Sequence, residues 1–238
     1  MLYFNGCSWV FGGELESPKT FAFPYIIGDR VKKTVINNAI EGQSNESIFR
    51  NSLYDISMFK DELEFVCIGW TIPWRSEVLR RKKCDCIGVH NHSLYDWMQL
   101  TAHSHTPMFR KMLSLISIRH LLIKQLQWSI SLASICENFN IPYFFFNIVK
   151  REQRSAGNKK GQYITTNLVK TGDLPEYWKT KFEKHYPSFL SDSACWNEFI
   201  YHRDGEYGGY KDEGHPDEKA HEMWSYYIED IMKNEKVT

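Results

Sequence analysis

The sequence predicts an α/β fold, a parallel sheet with crossover helices, and three observations carry that prediction. Short apolar runs alternate with amphipathic stretches through the first third of the chain, in the order strand, helix, strand, helix, strand. A wholly apolar run, IPYFFFNIV at 141–149, follows a long periodic helix. The chain then closes on an amphipathic helix suited to docking on a sheet. With 238 residues, 42% of them hydrophobic and 15% aromatic, a substantial core can be buried, and one domain over 1–238 is expected.

Taken in order, Leu2 to Phe4 is a short buried strand that runs into Gly6-Cys7-Ser8 and two further glycines, Gly12 and Gly13. SPKTFAFPYIIGDRVKK reads as a loop entering a helix over Phe23 to Lys32, with Pro24 in its first turn. TVINNAI is the second strand. The EGQSN loop after it supplies Ser44 or Asn45 as N-cap for a helix over Glu46 to Phe59. Leu63 to Ile68 is the third strand and breaks at Gly69. Residues 76–106 hold Trp97 and four histidines without a sustained period, and read as an insertion bordering a site. Pro107 to Asn138 has apolar residues at three and four spacing and no interior proline or glycine, which predicts a long helix. KREQRSAGNKKGQYITTN reads as a mobile polar loop, and 173–210, rich in aromatics and broken by Pro175 and Pro187, as irregular structure. Pro216 then opens the final helix, with Met223, Trp224, Tyr227, Ile228 and Ile231 on one face.

Lys plus Arg equals Asp plus Glu at 29 each, so no overall field draws the chain to nucleic acid or to an anionic membrane. No apolar stretch approaches the roughly 20 residues of a membrane helix. The N-terminus lacks the basic n-region of a secretory signal, which places the protein in the cytoplasm, with association with a virion as the other compatible location. Six irregularly spread cysteines are read as reduced thiols. In KKCDCIGVHNH, Cys84, Cys86, His90 and His92 fall within nine positions, but their spacing departs from zinc patterns. A polar loop is expected there, with no metal and no organic cofactor anywhere in the chain.

Ser8 allows two readings, an exposed nucleophile on a strand-to-helix turn or a helix cap. A serine hydroxyl becomes nucleophilic only beside a positioned base that a third group orients. Asp212 and His215, an acid three residues before an imidazole on a loop, can supply both. In a doubly wound sheet the loops at the carboxyl ends of the strands converge on one crevice, so the two chain ends can meet.

These residues resemble the motif blocks of the SGNH (GDSL-type) hydrolases, a viral or phage-borne member of that family being one reading of the chain. The resemblance implies a flavodoxin-like three-layer α/β/α sandwich with a central parallel sheet. Gly6-Cys7-Ser8 with Gly12 matches the first block, Cys7 standing in the acidic position, and Ser8 is implied as the nucleophile. NNAIEGQSN resembles the second block, which implies that the Gly42 N–H donates to an oxyanion, as does that of Ser8. Asp212-Glu213-Gly214-His215-Pro216 matches the last block, implying Asp212 as orienting acid and His215 as base; His221 reads as structural. The third block departs: Gly69-Trp70-Thr71-Ile72 places Thr71 where the family has asparagine, and Asn45 or a backbone amide is the other donor considered. The implied activity is hydrolysis of a carboxylic ester, an O-acetyl or other small acyl group, through an acyl-enzyme. Trp9, Trp70, Trp74 and Trp97 would suit a carbohydrate as its bearer. A catalytically silent module of the same fold, for example a glycan-recognising viral component, is the alternative. A nucleotide or flavin binder needs a phosphate loop after the first strand, where Trp9 and Phe11 obstruct it.

Overall fold

In the computed structural model, which describes residues 1–73, 75–81, 95–100, 118–148, 175–187, 195–201, 208–212 and 214–237, four parallel strands make the central sheet. β1 (Leu2–Asn5) lies between β2 (Val35–Asn37) and β3 (Phe65–Trp70), and a later strand, Tyr143–Asn147, pairs with the other edge of β3. β1 and β3 are buried along their whole length, as expected of strands covered on both faces.

Ten further elements are found among the described residues. Between β1 and β2 come α1 (Ser8–Phe11), α2 (Pro18–Phe21) and α3 (Phe23–Val31). α4 (Asn45–Phe59) leads to β3, and an antiparallel ladder of β4 (Ser76–Arg81) and β5 (Tyr95–Leu100) follows it. α5 (Ile118–Asn138) precedes the Tyr143–Asn147 strand, which is β6; α6 (Glu176–His185), α7 (Trp196–Tyr201) and α8 (Glu218–Asn234) end the chain.

Successive strand residues point to opposite faces, and this alternation divides the core in two. Leu2, Phe4, Phe65 and Phe146 pack with Phe23 and Ile27 of α3, Trp196 of α7 and Trp224 and Ile228 of α8. Tyr3, Val66, Ile68 and Phe145 pack with Ile48 and Ile56 of α4, Leu132 of α5 and Phe182 of α6. The result is the predicted α/β/α sandwich. On its first face Arg30 of α3 binds Glu229 (2.8 Å) and Ser225 (3.0 Å) of α8. Its guanidinium also stacks on Tyr226, 3.8 Å from the ring centroid.

The structure differs from expectation at three places. Pro18 sits at the start of α2 within the stretch read as loop. The 76–106 region contains the β4–β5 ladder, whose charged SEVLRR sequence hides its strand character. In 173–210, α6 and α7 replace irregular structure, because Phe182 and Trp196 each bury an aromatic anchor in the core. The Cys84/Cys86/His90/His92 group, the 150–167 loop and the 107–117 part of the long helix lie outside the described residues.

Candidate active site

The serine turn is built by close packing. β1 ends at Asn5, whose Oδ1 accepts the Gly6 N–H (2.8 Å) while its Nδ2 donates to Ser52 Oγ (2.9 Å) on α4. A Cβ on Gly6 would lie 2.4 Å from Val10 Cγ2 and 3.0 Å from the Gly69 carbonyl, so only glycine lets the chain leave the strand here. Ser8 then opens α1, and Gly12, at φ 92°, ends it one turn later. The Ser8 carbonyl accepts from both Gly12 N (2.9 Å) and Gly13 N (2.7 Å). Ser8 is 5% exposed, and Cys7 is buried beside it, its sulfur 3.9 Å from Ser8 Oγ.

The histidine arrives from the other end of the chain. Asp217 caps α8 by accepting the Ala220 N–H (2.8 Å) and holds the Gly209 N–H (2.7 Å), which fixes the approach to the helix. Pro216 therefore lies just ahead of the cap, and Lys211 N donates to the His215 carbonyl (2.7 Å) to close a tight turn. The position a Cβ would take on Gly13 is 3.2 Å from His215 Nε2 and 3.3 Å from Ser8 Cβ. The imidazole edge and the serine thus flank the same bare α-carbon.

The other ring nitrogen meets Glu14, not the expected Asp212. His215 Nδ1 lies 2.6 Å from Glu14 Oε2, which also accepts the His215 N–H (3.2 Å). Asp212 is exposed on the Lys211–His215 turn and makes no bond to the ring. Lys211 N to His215 O and Gly214 N to Lys211 O close the turn that holds Asp212, while Glu14, at φ 64°, follows straight after the Gly12-Gly13 pair. An acid six residues beyond the serine on a glycine pair was the available sign, but no spacing rule singles it out.

Three strand-end loops supply candidate oxyanion donors. The loop after β2 is sewn to the serine turn by Asn38 N to Phe4 O (2.9 Å) and Ile40 N to Gly6 O (3.3 Å). It carries Gly42 at φ 74°, whose N–H has no acceptor among the described residues. β1 and β3 pair in register Asn5 to Ile68, so Ser8 and Thr71 each stand three residues past one rung. Thr71 is 5% exposed, its N–H donating to Asn45 Oδ1 (2.8 Å) and its carbonyl accepting from Asn45 Nδ2 (3.0 Å). Only its hydroxyl is left to face a ligand. Asn45 gives its second side-chain N–H to Gln125 Oε1 (3.3 Å), leaving its amide no further donor, so that side chain supports the loop. Gln125 continues the network to Asn147 (2.8 Å) and Tyr186 (2.8 Å).

His221 is fully buried, stacked with Phe23, and its Nδ1 accepts the Phe23 N–H (3.2 Å). Burial, with the nearby His215, pushes its pKa down to about 3, so the ring is neutral and structural. Trp70 is fully buried in the core and cannot form a sugar-binding face, while Trp9 packs edge-on against Trp196 at 5.6 Å. The structure does not describe Trp74 or the Trp97 side chain. Among the described residues no group of His, Cys, Asp or Glu could hold a metal, and no helix is long and apolar enough to cross a membrane.

No family model matches the sequence, and no curated protein is similar to it at the sequence level. Solved structures are similar. TesA superposes with a TM-score of 0.52 at 12% identity, covering 98% of this chain and 98% of that one. A protein assigned to the lipolytic G-D-S-L family from Desulfitobacterium hafniense DCB-2 gives 0.51 at 11% identity, covering 97% and 98%. Over essentially its whole length, the chain has the fold of the GDSL-type lipolytic proteins, the α/β/α sandwich of the SGNH hydrolases.

Proposed function

We propose that the protein is a serine esterase that hydrolyses a small acyl ester, such as an O-acetyl group on a carbohydrate, through an acyl-enzyme. The observation that carries this reading is the placement of Glu14 against His215 Nδ1, with His215 Nε2 and Ser8 Cβ both within about 3.3 Å of the position a Cβ on Gly13 would take. The carboxylate holds the ring with Nδ1 protonated, which leaves Nε2 unprotonated and facing the serine. Nε2 takes the Ser8 proton as Oγ attacks the ester carbonyl, and the imidazolium is stabilised by Glu14. The proton then passes to the departing alkoxide. Water repeats the steps on the acyl-enzyme and restores Ser8. The Ser8 and Gly42 N–H groups and the Thr71 hydroxyl supply the oxyanion donors. One such donor is worth about 2.7–4 kcal/mol of transition-state stabilisation, so a threonine in place of asparagine still contributes if its hydroxyl is in line. The fold shared with a lipolytic G-D-S-L protein supports an ester as the substrate.

A fluorophosphonate probe tests whether Ser8 is activated without requiring the natural ester. Wild-type protein should be labelled on Ser8 and Ser8→Ala should not. Equal labelling of both, or none of either, would favour a silent binding module on the same fold.

A further inference from the structure

The turn after β3 borders a cavity of about 120 Å³ that the proposed chemistry leaves unused. Glu46, Pro73, Arg75, His120, Lys124 and Trp128 line it. Its charges are unbalanced. Arg75 and Lys124 form no ion pair among the described residues, and Glu46 is the one carboxylate in the lining. The nearest acid along β4, Glu77, is already paired with Arg50 of α4. Oxyanions match this donor set, since the arginine fork offers paired N–H groups and the lysine a second positive charge.

The cavity adjoins the catalytic loops. Pro73 is two residues beyond Thr71, a span of at most about 7 Å. Glu46 follows Asn45, which binds the Thr71 main chain in both directions. We infer that this cavity is a subsite for an oxyanion, a carboxylate or a phosphate, carried by the ester substrate, as on an acylated acidic sugar. The identity of the bearer rests on the esterase reading; the binding of the anion does not.

The test uses full-length Ser8→Ala protein, in which turnover cannot intervene. Sodium glucuronate and, separately, inorganic phosphate are titrated at fixed ionic strength while the Trp128 indole and Arg75 Nε–H resonances are followed by NMR. Saturable shifts at both residues are expected, with affinity weakened at least tenfold in Arg75→Gln and in Lys124→Gln at unchanged melting temperature. Binding of glucuronate alone assigns a carboxylate, and binding of phosphate alone a phosphate. Absence of binding by either, or binding that survives both substitutions, overturns the inference. With Ser8 intact, Arg75→Gln should raise the ratio of KM for acetylated glucuronate to that for acetylated glucose at least tenfold. Anion binding without fluorophosphonate labelling would leave the subsite standing and remove the esterase; labelling without anion binding would do the reverse.

Discussion

Gly13→Ala puts one methyl group between nucleophile and base. Gly13 is not among the glycines with positive φ, so alanine adopts its backbone without strain. The new Cβ would stand 3.1 Å from His215 Cδ2, 3.2 Å from Nε2 and 3.3 Å from Ser8 Cβ. Comfortable carbon contacts begin near 3.5 Å, so the ring must withdraw by several tenths of an ångström. Withdrawal strains the 2.6 Å contact with Glu14 and moves Nε2 off the Ser8 Oγ line. Misplacement of about 1 Å costs roughly 10²-fold in rate, so a loss between about 10- and 100-fold is expected. The assay is the second-order rate of fluorophosphonate labelling, with p-nitrophenyl acetate hydrolysis beside it and thermal melting as the fold control. Stability should change by no more than about 1 kcal/mol, since the substitution brings neither backbone strain nor a cavity and the crowded ring is at the surface of the site. Gly12→Ala provides the contrast: at φ 92°, with its Cβ 2.8 Å from that of Ala22, it should lower the melting temperature as well. Labelling of Gly13→Ala at the wild-type rate would show that His215 does not act on Ser8 from this position.

Glu14→Gln should slow labelling by about 10²- to 10⁴-fold, the range for losing the carboxylate that fixes the tautomer, while Asp212→Asn stays within twofold. The opposite pattern would restore Asp212 as the orienting acid. Thr71→Val should cost about 10²-fold in kcat with Thr71→Ser close to wild type, since only the hydroxyl is free to donate; equal rates in all three would remove Thr71 from the oxyanion site. His221 titrates near 6.5 unfolded and about 3 folded, so between these values the unfolded chain binds the extra proton and stability falls as pH falls. The full loss is on the order of 5 kcal/mol, and urea melts at pH 7 and pH 4 should show a smaller pH dependence in His221→Asn than in wild type. An NMR titration placing the His221 pKa above 6 would contradict its burial as the cause.

Much of the sheet was legible because its strands advertise themselves: LYF, FVCI and YFFF are apolar on both faces, which only a covered parallel sheet requires. The α4 cap was narrowed to Ser44 or Asn45, and it is Ser44, whose side chain accepts the Ser47 N–H at 3.1 Å. Ser8, Gly42 and Thr71 could be assigned to strand-end loops from chain order alone. What order could not supply was side-chain direction. Asp212 and Glu14 are both acids near the right loops. The choice between them depends on a left-handed residue at 14 and on a backbone turn at 211–215, and neither leaves a periodic trace. Trp70 misled for a related reason: it lies on a strand end read as loop, and its side chain belongs to the core.

The same distinction bears on the third loop. An asparagine is present at the site, but it comes from α4, and it binds the Thr71 peptide through both its Oδ1 and its Nδ2. That pairing copies a rung of sheet beyond the end of β3 and ties the loop into a buried network reaching Gln125, Asn147 and Tyr186. A loop held this way does not have to reorganise when charge develops on an ester oxygen, and preorganisation is the larger part of what an oxyanion donor contributes. On the esterase reading, the departure at Thr71 changes which atom donates while these bonds hold the loop in place.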